Sequence, residues 1–351
     1  MEAHMGISSS TPVYWKNSLE HIRETMSQIK RGKAEVLTRS AGGREIYAVF
    51  YGEKQHFGRR ANFNSACGAH DVSAYAKKNK ETKPVIVIVG GVHGGELEGV
   101  AAVLNWIHML ETGADYGGNA IEPLTRGLED HFRLVLIPCM NPDGRARIPF
   151  DTFKGLSMTD LRYYVQGTWL DGSLCGWPAC KAVHPLADAV SHLGGYFNDD
   201  GVNLMHDNFF LPMAEETRKL MQLIDEEAAD ATILLHGGAN SKNHLIPTQY
   251  ISPYIEEKQN RLVGKVHEAY QAKGIPFNPI YSKGTRPGSP PPSFNLSSAL
   301  HHISGGISMV FESNMGLNAP GDQYSYEEML EGHYILFEQL LKFVKDEYPF
   351  Y

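Results

Sequence analysis

The run PVIVIVGG at residues 84–91 is apolar without interruption and rich in β-branched side chains. A strand that presents apolar groups to both faces must be covered on both, the situation of a central strand in a sheet flanked by helices. Five further short runs share this character: AEVLTRS, EIYAVFYG, RLVLIPC, TILLHG and ISMVFES. Around them the apolar spacing shifts to a helical period and predicts helices over residues 18–31, 97–112, 214–228, 256–273 and 326–346. The alternation predicts an α/β fold. No internal repeat or linker divides the chain, and 351 residues with 42% hydrophobic content suffice for one domain over residues 1–351.

Two stretches resist the pattern. Residues 145–200 contain GTWLDGSLCGWPAC, and residues 282–293 read SKGTRPGSPPPS, where proline and glycine forbid regular structure. Long irregular segments inside a folded domain are expected to be insertions at the rim of a site.

The formal charge of −8, with lysine and arginine scattered, argues against a nucleic-acid partner or an anionic membrane surface. The longest apolar run, around Val85 to Val89, is far shorter than the roughly 20 residues of a membrane span. MEAHMGISSSTPVYW lacks the basic start and apolar stretch of a signal peptide, so a cytoplasmic location is expected. Four cysteines do not make a disulfide framework, and the spacing of Cys175 and Cys180 does not suit a zinc knuckle. Free thiols are expected, with one local bridge if the native protein is secreted.

Polar residues gather where strands end: His93 after IVIVGGV, Asn141 and Asp143 after LVLIPCM, His236 after TILL, and Glu312 after SMVF. Open α/β sheets bind ligands just beyond the carboxyl ends of their strands. His93 and Glu96 on a turn entering a helix can point at one ion, and zinc takes mixed imidazole and carboxylate ligands at about 2.0–2.2 Å. His236 is the best candidate for a third ligand, and two histidines with one glutamate leave an open coordination position, as catalytic zinc requires. Glycines after a strand also suit a phosphate loop, yet GGVHGG misses the dinucleotide fingerprint and lacks the P-loop lysine.

Taken in order, GGVHGGE, NPDG, GVNL, LLHGG and FES resemble the zinc metallocarboxypeptidase family, the carboxypeptidase A-like peptidases, in a divergent bacterial-type form. The resemblance spans roughly residues 44 to 345. It implies a three-layer α/β/α domain with a mixed, mostly parallel sheet. It also implies one zinc ion per chain on His93, Glu96 and His236, with Glu312 as general base and then acid. An arginine is implied at the oxyanion, for which Arg147 and then Arg145 are the candidates.

The chain departs from the family where substrate would be held. Family members that remove a C-terminal residue usually show GVDLNRNF, and this chain has GVNLMHDNF. His206 stands where the arginine belongs, and a neutral imidazole makes no bidentate contact with a carboxylate. Asn203 replaces the aspartate that would orient His93, a role Asp207 is the alternative to fill. Asn203, His206 and Asp207 are the candidate substrate contacts, with Tyr281 in place of the family's tyrosine. His301 and His302 are expected to be a structural pair.

The expected function is hydrolysis of an amide bond in a peptide or peptide-like small substrate that lacks the ordinary arginine-anchored C-terminus. An aspartoacylase-like deacylase of N-acyl amino acids is one alternative. A catalytically silent binding protein on the same scaffold is the other.

Overall fold

The computed structural model describes residues 11–281 and 291–351. Of the expected rim segment 282–293, residues 282–290 lie outside the described residues, as do residues 1–10. The first half of the chain forms α1 (Leu19–Ser27), β1 (Lys33–Arg39), β2 (Glu45–Tyr51), α2 (Phe63–Gly68), β3 (Val85–Val89), α3 (Leu97–Thr112), β4 (Arg133–Ile137), α4 (Pro142–Ala146) and α5 (Met158–Leu161). The second half forms β5 (Gly167–Trp169), β6 (Val190–Leu193), α6 (Glu215–Glu227), β7 (Ala231–Gly238), β8 (His244–Pro247), α7 (Pro253–Lys273), α8 (Leu296–Ser304), β9 (Ile307–Asn314) and α9 (Tyr326–Glu347).

Seven strands make the main sheet in the order β1-β2-β4-β3-β7-β9-β8. The central four are parallel, while β1, β2 and β8 run antiparallel to their neighbours. The period of two along β3 sends Ile86 and Ile88 to one face and Val85, Val87 and Val89 to the other, and all five are buried. On the first face they meet α1, α3, α7 and α9, through Ile22, Trp106, Val263 and Phe337 among others. On the second face lie α6 and α8, through Leu220, Ile224, Leu296 and Leu300. Helices therefore cover both sides of a mixed sheet, the three-layer arrangement that the apolar run at residues 84–91 demands.

The six predicted strands and five predicted helices are present, with ends shifted by a few residues at most. Three strands had no prediction: β8, whose four residues end in Pro247 at the sheet's edge, and the pair β5 and β6. This pair lies inside the long irregular segment, where Cys175, Cys180, Leu186 and Phe197 bury one another in a small separate core. All four cysteines are free. No helix among the described residues is long and apolar enough to cross a membrane.

Candidate active site

The sheet order sets β3, β7 and β9 side by side and parallel, so their carboxyl ends open on the same edge. Beyond β3 the chain turns at Gly91, whose φ of 56° falls in the left-handed region that favours glycine. A Cβ on Gly94 would lie 2.2 Å from the Arg145 nitrogen, so only glycine lets this turn rest against the start of α4. His93 sits on the turn, and Glu96 holds the N-cap position of α3. The Glu96 side chain caps no helix N–H. It faces the two histidines instead.

Glu96 Oε1 is 2.9 Å from His93 Nδ1, Glu96 Oε2 is 2.8 Å from His236 Nδ1, and the two Nδ1 atoms are 3.2 Å apart. Each of the three side chains is buried, and one donor atom from each lies within 4.8 Å of the others. The tautomer of His93 follows from its other side. The Met205 N–H donates to Asn203 Oδ1 at 3.0 Å, which fixes that atom as the amide oxygen. His93 Nε2 lies 3.0 Å from the same oxygen and must donate to it, leaving Nδ1 with a lone pair aimed at Glu96 and His236. The Tyr196 ring stacks on His93 at a centroid distance of 3.9 Å and holds its plane.

Burial would raise the Glu96 carboxyl, but the two imidazoles outweigh it and hold the group down at about 2. At His93 burial wins and lowers the pKa, whereas at His236 the Glu96 carboxylate overcomes burial and raises it. Buried nitrogen lone pairs that converge beside a carboxylate are satisfied together by a divalent cation. The donor set, two imidazoles and one carboxylate, is of the kind zinc takes with a position left open. The residues present therefore fit a zinc ion.

Glu312 lies on β9 directly across the ladder from His236. Burial pushes its carboxyl up to about 7, against the pull of His236 and a hydrogen bond with Asn240. Glu312 and the three candidate ligands line one cavity of about 660 Å³. Its walls include Leu161, Val165, Trp177, Tyr196, Met205 and Ile246, together with Arg162, Gln166, Lys181, His206 and Asn240.

Other expected site residues fall elsewhere. Arg145 is buried and donates to the Asn17 and Ile148 carbonyls, to Asn17 Oδ1 and to Asp151. Arg147 binds Asp199 and the Phe197 carbonyl. Neither lines the cavity, which corrects the expectation of an oxyanion partner at either position: both guanidinium groups tie loops together behind the site. Asn203 orients His93 from behind and does not line the cavity. Asp207 accepts from the backbone of Asn208, Met213 and Ala214 ahead of α6, so it neither orients His93 nor lines the cavity. Tyr281 is exposed and outside the lining, just before the residues not described. Asp143 is likewise turned away, bound to Ser40, Gly42 and Arg44.

His206 does line the cavity, and burial together with the nearby Lys181 charge pushes its pKa down to about 3. It is neutral and cannot act as a standing cation. His301 Nδ1 donates to the Gly306 carbonyl and His302 Nε2 to the Tyr250 carbonyl, and neither lines the cavity. Residues that sequence reasoning missed are Tyr196, Gln166, Lys181 and Arg162. All lie in the irregular segment, where no periodicity marks which side chains turn inward.

Residues 16–157 match the family model described as zinc carboxypeptidase, a span that holds His93 and Glu96. No curated protein sequence matches the chain. Among solved structures, a metallo-carboxypeptidase from Burkholderia cenocepacia superposes with a TM-score of 0.59 at 16% identity, covering 94% of this chain and 70% of that one. A carboxypeptidase A from Helicoverpa armigera gives 0.51 at 13% identity, with 95% and 75% covered. A metallo-carboxypeptidase from Pseudomonas aeruginosa gives 0.52 at 13%, with 94% and 69% covered. The family match supports a metallopeptidase-like hydrolase and implies zinc. Residues 16–157 carry the zinc carboxypeptidase sequence pattern, in a divergent chain whose α/β fold is similar to that of metallo-carboxypeptidases over nearly all its length.

Proposed function

We propose that the protein is a zinc-dependent hydrolase that cleaves an amide bond in a peptide or peptide-like substrate. The observation that carries this reading is the placement of Glu312, a buried carboxyl in the same cavity as His93, Glu96 and His236 and in ladder register with His236. Zinc, when bound by those three side chains, supplies a Lewis acid that polarises a carbonyl and acidifies water. Glu312 takes the proton from the attacking water and returns it to the leaving amine. A buried carboxyl whose charged form burial disfavours suits a group that takes up a proton and gives it back. Tyr196 and Asn203 hold His93 in place. Leu161, Val165 and Met205 give the cavity an apolar wall beside the reacting groups.

The test compares zinc content and peptide hydrolysis in the wild type and in Glu312→Gln. The variant is expected to keep one zinc per chain and to lose roughly 10²–10⁴-fold in turnover. Unchanged turnover would sink the reading. Activity confined to small N-acyl amino acids would move it to an aspartoacylase-like deacylase.

A further inference from the structure

A second cavity, of about 280 Å³, lies between α1, the turn joining β1 to β2, and the stretch from Pro138 to Pro142 that leads β4 into α4. It shares no lining residue with the active-site cavity. The inner part of its lining is apolar: Ile22, Pro138, Cys139 and Pro142 are buried, with Leu19 half-buried beside them. Its outer part is charged and holds Arg23, Arg39 and Arg44 against one carboxylate, Glu45.

Two of the three arginines are already matched. Both Glu45 oxygens are taken, Oε1 by Arg39 Nη2 at 2.6 Å and Oε2 by the Tyr47 hydroxyl. Arg44 Nη1 donates to Asp143 and to Asp199, at 2.7 Å each. Arg23 is exposed and makes no hydrogen bond or ion pair among the described residues. Its donor fork stands in water at the rim, free to take a planar acceptor. The walls around it are set in advance. Ser40 and the Gly42 N–H tie the β1–β2 turn to Asp143, and Arg145 ties Asn17 at the foot of α1. A ligand therefore meets a formed cavity and has little of it to order.

We infer that this second cavity binds a small organic monocarboxylate, its carboxylate on Arg23 and its apolar body against Ile22, Pro138, Cys139 and Pro142. Charge and shape select this class together. One unmatched guanidinium at the rim calls for one negative charge, and Glu45, within electrostatic reach of Arg23, opposes a second. The apolar lining rewards a compact hydrocarbon body, and the volume suits one about the size of a bicyclic aromatic. The site lies apart from the metal-binding cluster, so the inference does not rest on the hydrolase reading.

The test uses the zinc-loaded full chain and two probes of equal shape, 2-naphthoate and 2-naphthamide, with binding measured by calorimetry for wild type, Arg23→Gln, Arg23→Lys and Lys181→Met. The acid is expected to bind the wild type at least about fivefold more tightly than the amide. That ratio should fall by about threefold or more in Arg23→Gln and be partly kept in Arg23→Lys. It should not change in Lys181→Met, where the altered side chain lines the other cavity. Acetate, which has the charge without the apolar body, is expected to bind the wild type at least about tenfold more weakly than 2-naphthoate. Any acid held by zinc is common to all four proteins and cancels in the comparison. The same acid-to-amide ratio in wild type and Arg23→Gln overturns the proposal. So does an equal fall in Lys181→Met, which would place the acid in the active-site cavity or spread it over the surface. Acetate binding as tightly as 2-naphthoate also overturns it, because the apolar lining would then contribute nothing.

Discussion

The orientation of His93 is settled one hydrogen bond away from the ring, by the backbone. Met205 N–H fixes the Asn203 amide, and the amide in turn fixes which imidazole nitrogen is bare. Asn203→Ala is expected to weaken zinc binding by about 10–100-fold, while Asn203→Asp should retain or tighten it because a carboxylate raises the basicity of the ligand. Competition against a zinc-sensitive dye measures both. Wild-type affinity in Asn203→Ala would show that Tyr196 stacking alone orients the ring. At this scale His93, Glu96, His236 and Glu312 were legible because strand ends announce themselves by hydrophobic runs that stop. Arg145 and Arg147 were not, since what a guanidinium reaches depends on acceptors such as Asp199 and the Ile148 carbonyl that become neighbours only on folding. Tyr196 carried no signal at all in GGYFNDDG.

Short elements need anchors, and α4 has one in Asp143. Its carboxylate accepts from Ser40, Gly42 N–H, Asp199 N–H and Arg44, joining the β1–β2 turn and the segment before α6 to the wall behind His93. Burial alone would raise the Asp143 pKa, but these donors bring it below the ordinary value. A depressed pKa contributes stability above the unfolded value and loses it as pH falls through the folded one. Asp143→Ala is expected to cost about 3 kcal/mol at neutral pH, and the gap from wild type should narrow below about pH 4. Urea unfolding at several pH values checks both, and a gap independent of pH would show that the charge is not what matters. The predicted elements were legible because their apolar residues recur at a strand or helix period. Helix α8 was not: it reads LSSALHHIS, with serine and histidine among its buried positions, although Asn295 as its cap and Gly305 at its end were visible cues.

Across the whole molecule, the candidate zinc site of His93, Glu96 and His236 exists only when β3 and β7 are paired, so metal binding there would be linked to the fold. Excess zinc at about 100 times its dissociation constant should add about 2.7 kcal/mol of stability. A chelator should therefore lower the melting temperature of the wild type, and His236→Ala should show no response to either. A shift of equal size in the variant would place the ion elsewhere. The alternating strands and helices made the three layers legible, but the turn that carries Lys181 was not, because its course is dictated by a small core of its own rather than by the sheet.

The ladder that brings these side chains together joins segments made far apart in time. His93 and Glu96 leave the ribosome first, His236 follows after well over a hundred residues, and Glu312 comes last. Because β7 pairs with β3 and β9 pairs with β7, a chain made only as far as β7 carries all three candidate ligands but not Glu312. On the hydrolase reading, the proton carrier joins the metal-binding cluster only when β9 pairs with β7.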